Sequence, residues 1–273
     1  MIIDGKKISE NLINSLKNKP TPKKFLAAIL VGKDHSSISF LKQKEKTAKV
    51  LGIDFRLYNF DENIKNDELR GEVLKISQHK TCGGVLVQLP LPSHINKHYI
   101  LNVIPREKDI DVLGERSLGA FYTGRNLVLP PAVATVAEII KALNLELQTF
   151  KVAVVGLGFL VGKPISTWLE GKAKEIIFFD EGSDFLLLRE ADLIITGVGG
   201  GGIVKPDMLK DEAIIIDFGY KNGIGDFDSS LLINNQNLQS ISYTPTPGGT
   251  GPILVAKLLE NFYVLSATQS PRD

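Results

Sequence analysis

The chain has 273 residues and a formal net charge of +1, from 32 basic and 31 acidic side chains, with 43% hydrophobic and 23% charged residues. That length can bury a large core and ordinarily divides into two domains, and the balanced charge gives no reason to expect nucleic acid or an anionic membrane as partner. A single cysteine, Cys82, excludes an intrachain disulfide and a multi-cysteine zinc site.

Met1–Lys7 lacks an apolar signal core, and no run reaches the length of a membrane span, so a cytoplasmic protein without a metal centre is expected. Residues 8–16 have the spacing of a short amphipathic helix, with Ile8, Leu12, Ile13 and Leu16 on its apolar side. Pro20 and Pro22 end it and lead into a strand over 25–31, followed by a turn in which Ser36 or Ser37 is suited to cap the next helix. That helix, about residues 37–51, places Phe40, Leu41, Ala48 and Leu51 on one face with Lys44 in the middle of the stripe. Two readings of Lys44 stand. Its stem snorkels to water, or its ammonium is held in a partly desolvated cleft where its pKa falls and it exchanges protons.

A strand over 55–60 and a helix over 66–78 follow, the helix with Leu69, Val73, Leu74 and Ile76 as apolar contacts. Gly83–Val87 reads as a buried parallel strand ended by Gln88-Leu89-Pro90-Leu91-Pro92, whose prolines forbid further ladder pairing. Ligands of open α/β sheets sit beyond the carboxyl ends of strands, so Gln88 either meets a ligand or is satisfied by backbone. The two acids of Lys108-Asp109-Ile110-Asp111 read as solvated or helix-capping side chains. Residues 115–130 look irregular, and Pro130-Pro131 opens a helix to about Leu143, near which the first domain ends.

The second half alternates strand and helix. Lys151–Val155 is an apolar run that breaks into Gly156-Leu157-Gly158 and resumes at Gly162-Lys163-Pro164, a G-x-G-x-x-x-G variant of the dinucleotide fingerprint. Glycines 156 and 158 permit a tight turn near a pyrophosphate, Gly162 permits close helix packing, and the helix offers N–H groups to the anion. A ligand-free strand-to-helix turn is the alternative. Strands over 176–180, 192–197 and 213–219 complete a parallel sheet. Asp180, at the end of the first of these, either accepts hydrogen bonds from an adenosine ribose and repels a 2′-phosphate or is a solvated loop acid. Tyr243–Pro252 is a stiff turn, and Ile253, Leu254, Leu258, Leu259 and Phe262 give the final helix a core-facing side.

Taken together, the chain resembles the bifunctional methylenetetrahydrofolate dehydrogenase/methenyltetrahydrofolate cyclohydrolase family almost end to end. The resemblance rests on Ile3-Asp4-Gly5-Lys6, Val31-Gly32 with Ser37 and Lys44, Gln88–Pro92, Lys108–Asp111, Val155-Gly156 with Val161–Pro164, Ala191-Asp192, Asp217–Gly219 and Thr244–Pro252. It implies two α/β domains with a cleft between them in which folate and dinucleotide meet, the second domain a Rossmann-type doubly wound parallel sheet, usually in a homodimer. Residues 1–130 would form the catalytic, folate-binding domain, completed by a C-terminal helix over 251–273, and residues 131–250 the dinucleotide-binding domain.

The resemblance makes Lys44 the catalytic lysine, Gln88 the glutamine beside it and Asp111 the acid that holds the pterin. Further substrate contacts would come from Phe40, Leu89, Pro90, Pro247, Gly248 and Gly249. Cofactor contacts would come from Gly156, Leu157, Gly158, Phe159, Val161 and Gly162 of the loop, and from Asp180, Thr196, Gly197 and Gly219 at strand ends. The cofactor implied is NADP. The chain departs from the family at several points. Phe40 replaces a tyrosine, and Val112 replaces a glycine at a place where valine does not easily adopt positive φ. Pro130–Val133 replaces a Pro-Cys-Thr-Pro segment, Leu157-Gly158 an Arg/Ser pair, and Asp180-Glu181 uncharged or basic residues. The last two changes remove phosphate partners and add negative charge, which argues for NAD or a reduced NADP preference. Competing readings are a dehydrogenase without cyclohydrolase, a folate- or nucleotide-binding protein without turnover, and a shikimate-type dehydrogenase, which the Gln88–Pro92 and Thr244–Pro252 stretches disfavour.

Overall fold

A computed structural model describes residues 1–232 and 240–269. Residues 233–239 of the expected second domain and 270–273 of the expected final helix lie outside the described residues. The chain divides into two compact units, the first made of Leu12–Pro131 with Val255–Asp273 and the second of Met1–Asn11 with Ala132–Leu254. Helix α1 (Gly5–Lys17) starts in the second unit and ends in the first, three residues earlier and one later than the expected 8–16.

The first unit is built on a three-stranded parallel sheet in the order β2-β1-β3. Central β1 (Phe25–Val31) is buried at all seven positions, as a continuous apolar run with neighbours on both sides requires. Its Ala28 lies opposite Leu57 of β2 (Phe55–Phe60) and Leu86 of β3 (Cys82–Val87). Helix α2 (His35–Val50) is capped by Asp34, whose carboxylate accepts the Ser37 N–H at 2.7 Å; the expected serine cap is corrected to the acid one position before the helix. On α3 (Asn66–Gln78), Leu69, Val73 and Ile76 are buried as expected, and Leu74 is half-buried. After α4 (Lys97–Leu101), the stretch expected to be irregular contains α5 (Glu115–Tyr122). Gly119 in its middle lowers helix propensity, and burial of Ser117 and Ala120 supplies what propensity does not.

The second unit is a five-stranded parallel sheet in the order β5-β4-β6-β7-β8, entered through α6 (Pro131–Ala142). Its strands are β4 (Lys151–Val155), β5 (Glu175–Phe179), β6 (Leu193–Thr196), β7 (Ile214–Asp217) and β8 (Ser242–Tyr243), with α7 (Gly162–Leu169) after β4. Two-residue β8 has no periodic signal, and its Tyr243 falls in the expected turn. It is held by neighbours: Ser242 lies opposite Ile214, and the Ile3 N–H donates to the Tyr243 carbonyl at 2.8 Å while the Tyr243 N–H donates to Met1. Those bonds place Met1–Asn11 with the second unit. The last helix, α8 (Thr250–Thr268), begins in the second unit and continues into the first. Among the described residues no helix is long and apolar enough to cross a membrane.

In the first unit Leu258, Leu259 and Phe262 of α8 join Leu26, Leu86 and Ile110 in one core. Gly84 allows that packing, because a Cβ there would stand 2.8 Å from both Ile110 and Phe262 side chains. Gly84→Ala is expected to destabilise the protein by about 1–3 kcal/mol through overpacking, and urea unfolding with an unchanged midpoint would refute this.

Candidate active site

Residue Gln88 leaves β3 with its N–H still bonded to the Ile29 carbonyl at 2.9 Å, so its backbone is set by the sheet. Its side chain is buried, at 8% exposure, and its amide has a protein partner at each end. Nε2 donates to the Leu89 carbonyl at 2.7 Å, which orients Oε1 toward α2, where it accepts the Lys44 Nζ at 3.0 Å. Lys44 is half-buried, and burial lowers its ammonium below the ordinary lysine range, with Asp111 acting in the opposite direction. Its ammonium is tied to the Gln88 amide, the geometry that the cleft reading requires. Phe40, one helical turn before Lys44, is 39% exposed rather than part of the core face.

Segment 109–114 brings the third residue in. Asp109 is neither solvated nor a cap. It is 2% exposed, and its carboxylate accepts the Leu113 N–H at 3.0 Å and the Gly114 N–H at 2.8 Å. A bridge between Asp109 and Val85 of β3, and the Asn261 amide of α8 donating to the Ile110 carbonyl at 2.9 Å, fix the segment on both sides. Asp111 is half-buried, and burial pushes its carboxyl up to about 6, with Lys44 pulling it down and Asp109 adding to the rise. Val112 takes φ +58° after all and is fully buried, so the left-handed position survives without glycine. Such a conformation costs a valine on the order of 1–3 kcal/mol, which burial of an apolar side chain in the core offsets.

In the second unit Val155 of β4 pairs with Phe179 of β5 and Thr196 of β6, and Thr196 pairs with Asp217 of β7. That register brings Gly156, Asp180, Gly197 and Gly219 to one end of the sheet. Gly156 has φ +85°, and a Cβ on Gly162 would stand 1.8 Å from the Gly156 carbonyl oxygen, so the turn into α7 exists only with glycine at both. Gly158 has open space around it and no positive φ, so no steric need for glycine is present there. Leu157, Phe159 and Val161 are half-buried around the turn, and the bare backbone at 156 and 162 beside the start of α7 fits a pyrophosphate. Asp180 is exposed, with one carboxylate oxygen accepting the Glu181 N–H at 3.0 Å. The Thr196 hydroxyl donates to Asp226 at 2.8 Å and the Gly197 N–H to Val155 at 3.2 Å, so these donors are already used. Pro247–Gly249 lies between β8 and α8, with Lys6 of α1 against Gly248. The burial of Asp109, Asp217 and Asp226 has no local signature: acids are mostly exposed, and nothing in the spacing of these three marks them as exceptions.

A parallel sheet with a glycine turn at its switch point, and a separate unit carrying a lysine, an amide and an acid, define a two-domain α/β protein with a Rossmann-type dinucleotide fold. The chain belongs to the tetrahydrofolate dehydrogenase/cyclohydrolase family, whose catalytic-domain model matches residues 3–111 and whose NAD(P)-binding-domain model matches residues 130–270. It is 35% identical to the bifunctional protein FolD of Mycoplasmopsis synoviae, over 95% of this chain and 97% of that one. Among solved structures it is similar to the bifunctional enzyme FolD, a methylenetetrahydrofolate dehydrogenase/cyclohydrolase, of Campylobacter jejuni (TM-score 0.91, 30% identity, 99% of both chains). It is also similar to a 5,10-methylenetetrahydrofolate dehydrogenase of the silkworm Bombyx mori (TM-score 0.89, 29% identity, 99% of both chains).

The charge of Lys44 lowers the Asp111 pKa, so Lys44→Met is expected to raise it above its wild-type value. A carboxyl-detected NMR titration of Asp111 that stayed in place or moved down would show that the two charges are not coupled.

Proposed function

We propose that this protein oxidises 5,10-methylenetetrahydrofolate to 5,10-methenyltetrahydrofolate and hydrolyses the product to 10-formyltetrahydrofolate. The observation that carries the reading is the desolvated Lys44 held by the Gln88 amide oxygen at 3.0 Å. Bound NAD(P) supplies the acceptor for a hydride from the carbon bridging N5 and N10, which leaves that carbon cationic. The residues of this chain have no proton to move in that step, and their work is placement. In the hydrolysis, water adds to the cationic carbon. Neutral Lys44 takes one proton of the water to leave a hydroxyl on that carbon. The carbon–N5 bond then breaks with its electron pair going to N5, which takes the proton back from the Lys44 ammonium, while the hydroxyl loses its proton to solvent and becomes the formyl carbonyl on N10. Proton transfer of this kind contributes ~10²–10⁴-fold. Burial, by lowering the lysine pKa, enlarges the neutral fraction that can act as base. Anionic Asp111 accepts hydrogen bonds from the pterin N–H groups, the stronger charge-assisted kind.

Substrate contacts are assigned to Phe40, Gln88, Leu89, Pro90, Asp111 and the Pro247–Gly249 turn, and the dinucleotide to the Gly156–Gly162 turn, Asp180, Thr196, Gly197 and Gly219. NADP is the cofactor the family resemblance favours, whereas exposed Asp180 and a turn without a cation at Leu157-Gly158 favour NAD. We place the protein in the cytoplasm, where a lone buried thiol such as Cys82 persists reduced. A homodimer is part of the same proposal: β2 is the edge of its sheet, Leu57 on it is 43% exposed, and sheets ordinarily cover such edges. A monomer mass in sedimentation velocity would remove it.

The test is to give the purified protein methylenetetrahydrofolate with NAD or NADP and follow reduced cofactor and methenyl absorbance together. Turnover with neither cofactor refutes the enzyme, and methenyl product that decays only at its spontaneous rate removes the hydrolysis. Lys44→Met is expected to abolish hydrolysis and leave cofactor affinity unchanged; weakened cofactor binding would count against its role. Because Asp111 takes up a proton as pH falls through about 6, kcat/KM for the folate is expected to drop on that side, and a flat profile there would show that the anion is not what binds.

A further inference from the structure

Two buried acids of the second unit take no part in the reactions above. Asp226 is fully buried, and its carboxylate is surrounded by donors from one loop. Oδ2 accepts the Thr196 hydroxyl at 2.8 Å and the Val198 N–H at 2.7 Å, and Oδ1 accepts the Gly200 N–H at 2.7 Å. Gly219 passes so close that a Cβ on it would stand 2.2 Å from the Asp226 Cγ. Asp217, at the end of β7, accepts the Gly219 N–H at 2.6 Å on one oxygen and the Phe227 N–H at 2.9 Å on the other. Its own N–H donates to the Thr244 hydroxyl at 2.8 Å, and its carbonyl accepts the Thr250 hydroxyl at 2.7 Å. The segments that leave β6, β7 and β8 at their carboxyl ends are therefore each tied to one of these two acids.

Two carboxylates in one buried place are an expensive anchor. Burial pushes Asp217 up to about 6, its backbone hydrogen bonds act against that, and the charge of Asp226 adds to the rise. Burying like charges together is a cost that concentrates at functional sites. The place is informative too. With the pyrophosphate on the turn after β4 and the adenosine ribose at Asp180 after β5, a dinucleotide crossing the switch point extends its other half over the ends of β6 and β7.

We propose that Asp226 is a positioning residue for the nicotinamide half of the dinucleotide, fixing the Thr196–Gly200 loop and the close approach of Gly219 as the surface that receives it. The inference rests on the dehydrogenase reading. It separates the two activities, because the hydrolysis uses Lys44 of the first unit and needs no dinucleotide.

The decisive variant is Asp226→Asn, whose single amide oxygen cannot serve both the Thr196–Val198 donors and Gly200. Loss of one hydrogen bond to a buried charge is expected to raise the cofactor KM about tenfold or more. The folate KM, and the hydrolysis rate measured directly on methenyltetrahydrofolate, are expected to stay within about twofold of wild type. An unchanged cofactor KM overturns the inference, as does an equal fall in every parameter, which a merely structural role would produce. Should Asp226→Asn not fold, Asp226→Ser removes the carboxylate without adding volume to the site and is read in the same way. Wild-type protein that oxidises no folate with either cofactor refutes the underlying reading instead, which keeps the two failures apart.

Discussion

An ammonium group taken out of water is costly unless something answers its charge and its hydrogen bonds, and the first unit is arranged around that requirement at Lys44. The Gln88 amide answers the hydrogen bond and Asp111 the charge. Neither answer is local. Gln88 is aimed by a backbone bond to β1 and by its own amide bonded to Leu89. Asp111 is held by Asp109 beneath it and by Asn261 of α8, which arrives from the far end of the chain. The glycines of β3 that admit Phe262 are therefore as much a condition of the site as the lysine itself.

In the second unit the constraint is the opposite one, the removal of side chains where two stretches of backbone must meet. Gly156 and Gly162 are in van der Waals contact at their backbones, and the turn from sheet to helix is closed by that contact. Across the same sheet end, carboxylates replace glycines as the organising groups, with Asp217 and Asp226 accepting N–H and hydroxyl donors from the end of β6 and the segments that follow β6 and β7. One end of one sheet thus carries both a glycine turn and a pair of buried acids.

Where the chain's own pattern is strong, sequence and structure agree closely. The bounds of β1, β2 and α3 coincide with the apolar runs and periodicities that announced them. Lys44 stood out because an apolar stripe ran through it, and Gln88 because prolines ended the strand it terminates. Agreement fails where the determining partner is remote. α5 exists because of what it packs against, despite Gly119. β8 exists because Ile3 and Ile214 lie beside it. Val112 keeps a left-handed backbone because a glycine-like loop is imposed by Asp109 and the core rewards its side chain.

By itself, then, the sequence determined the α/β class, the alternation of strands and helices, the glycine turn and the identity of the lysine, amide and acid, since each is written in local spacing or in ordered motifs. Only the tertiary structure decided which acids are buried, that the N-terminal segment joins the second sheet, and that the Gln88 amide is held by the Leu89 carbonyl at one end and meets Lys44 at the other. The reason is physical. Periodicity and turn chemistry act within a few residues, whereas desolvation, hydrogen-bond satisfaction and charge coupling depend on atoms brought together from anywhere in the chain.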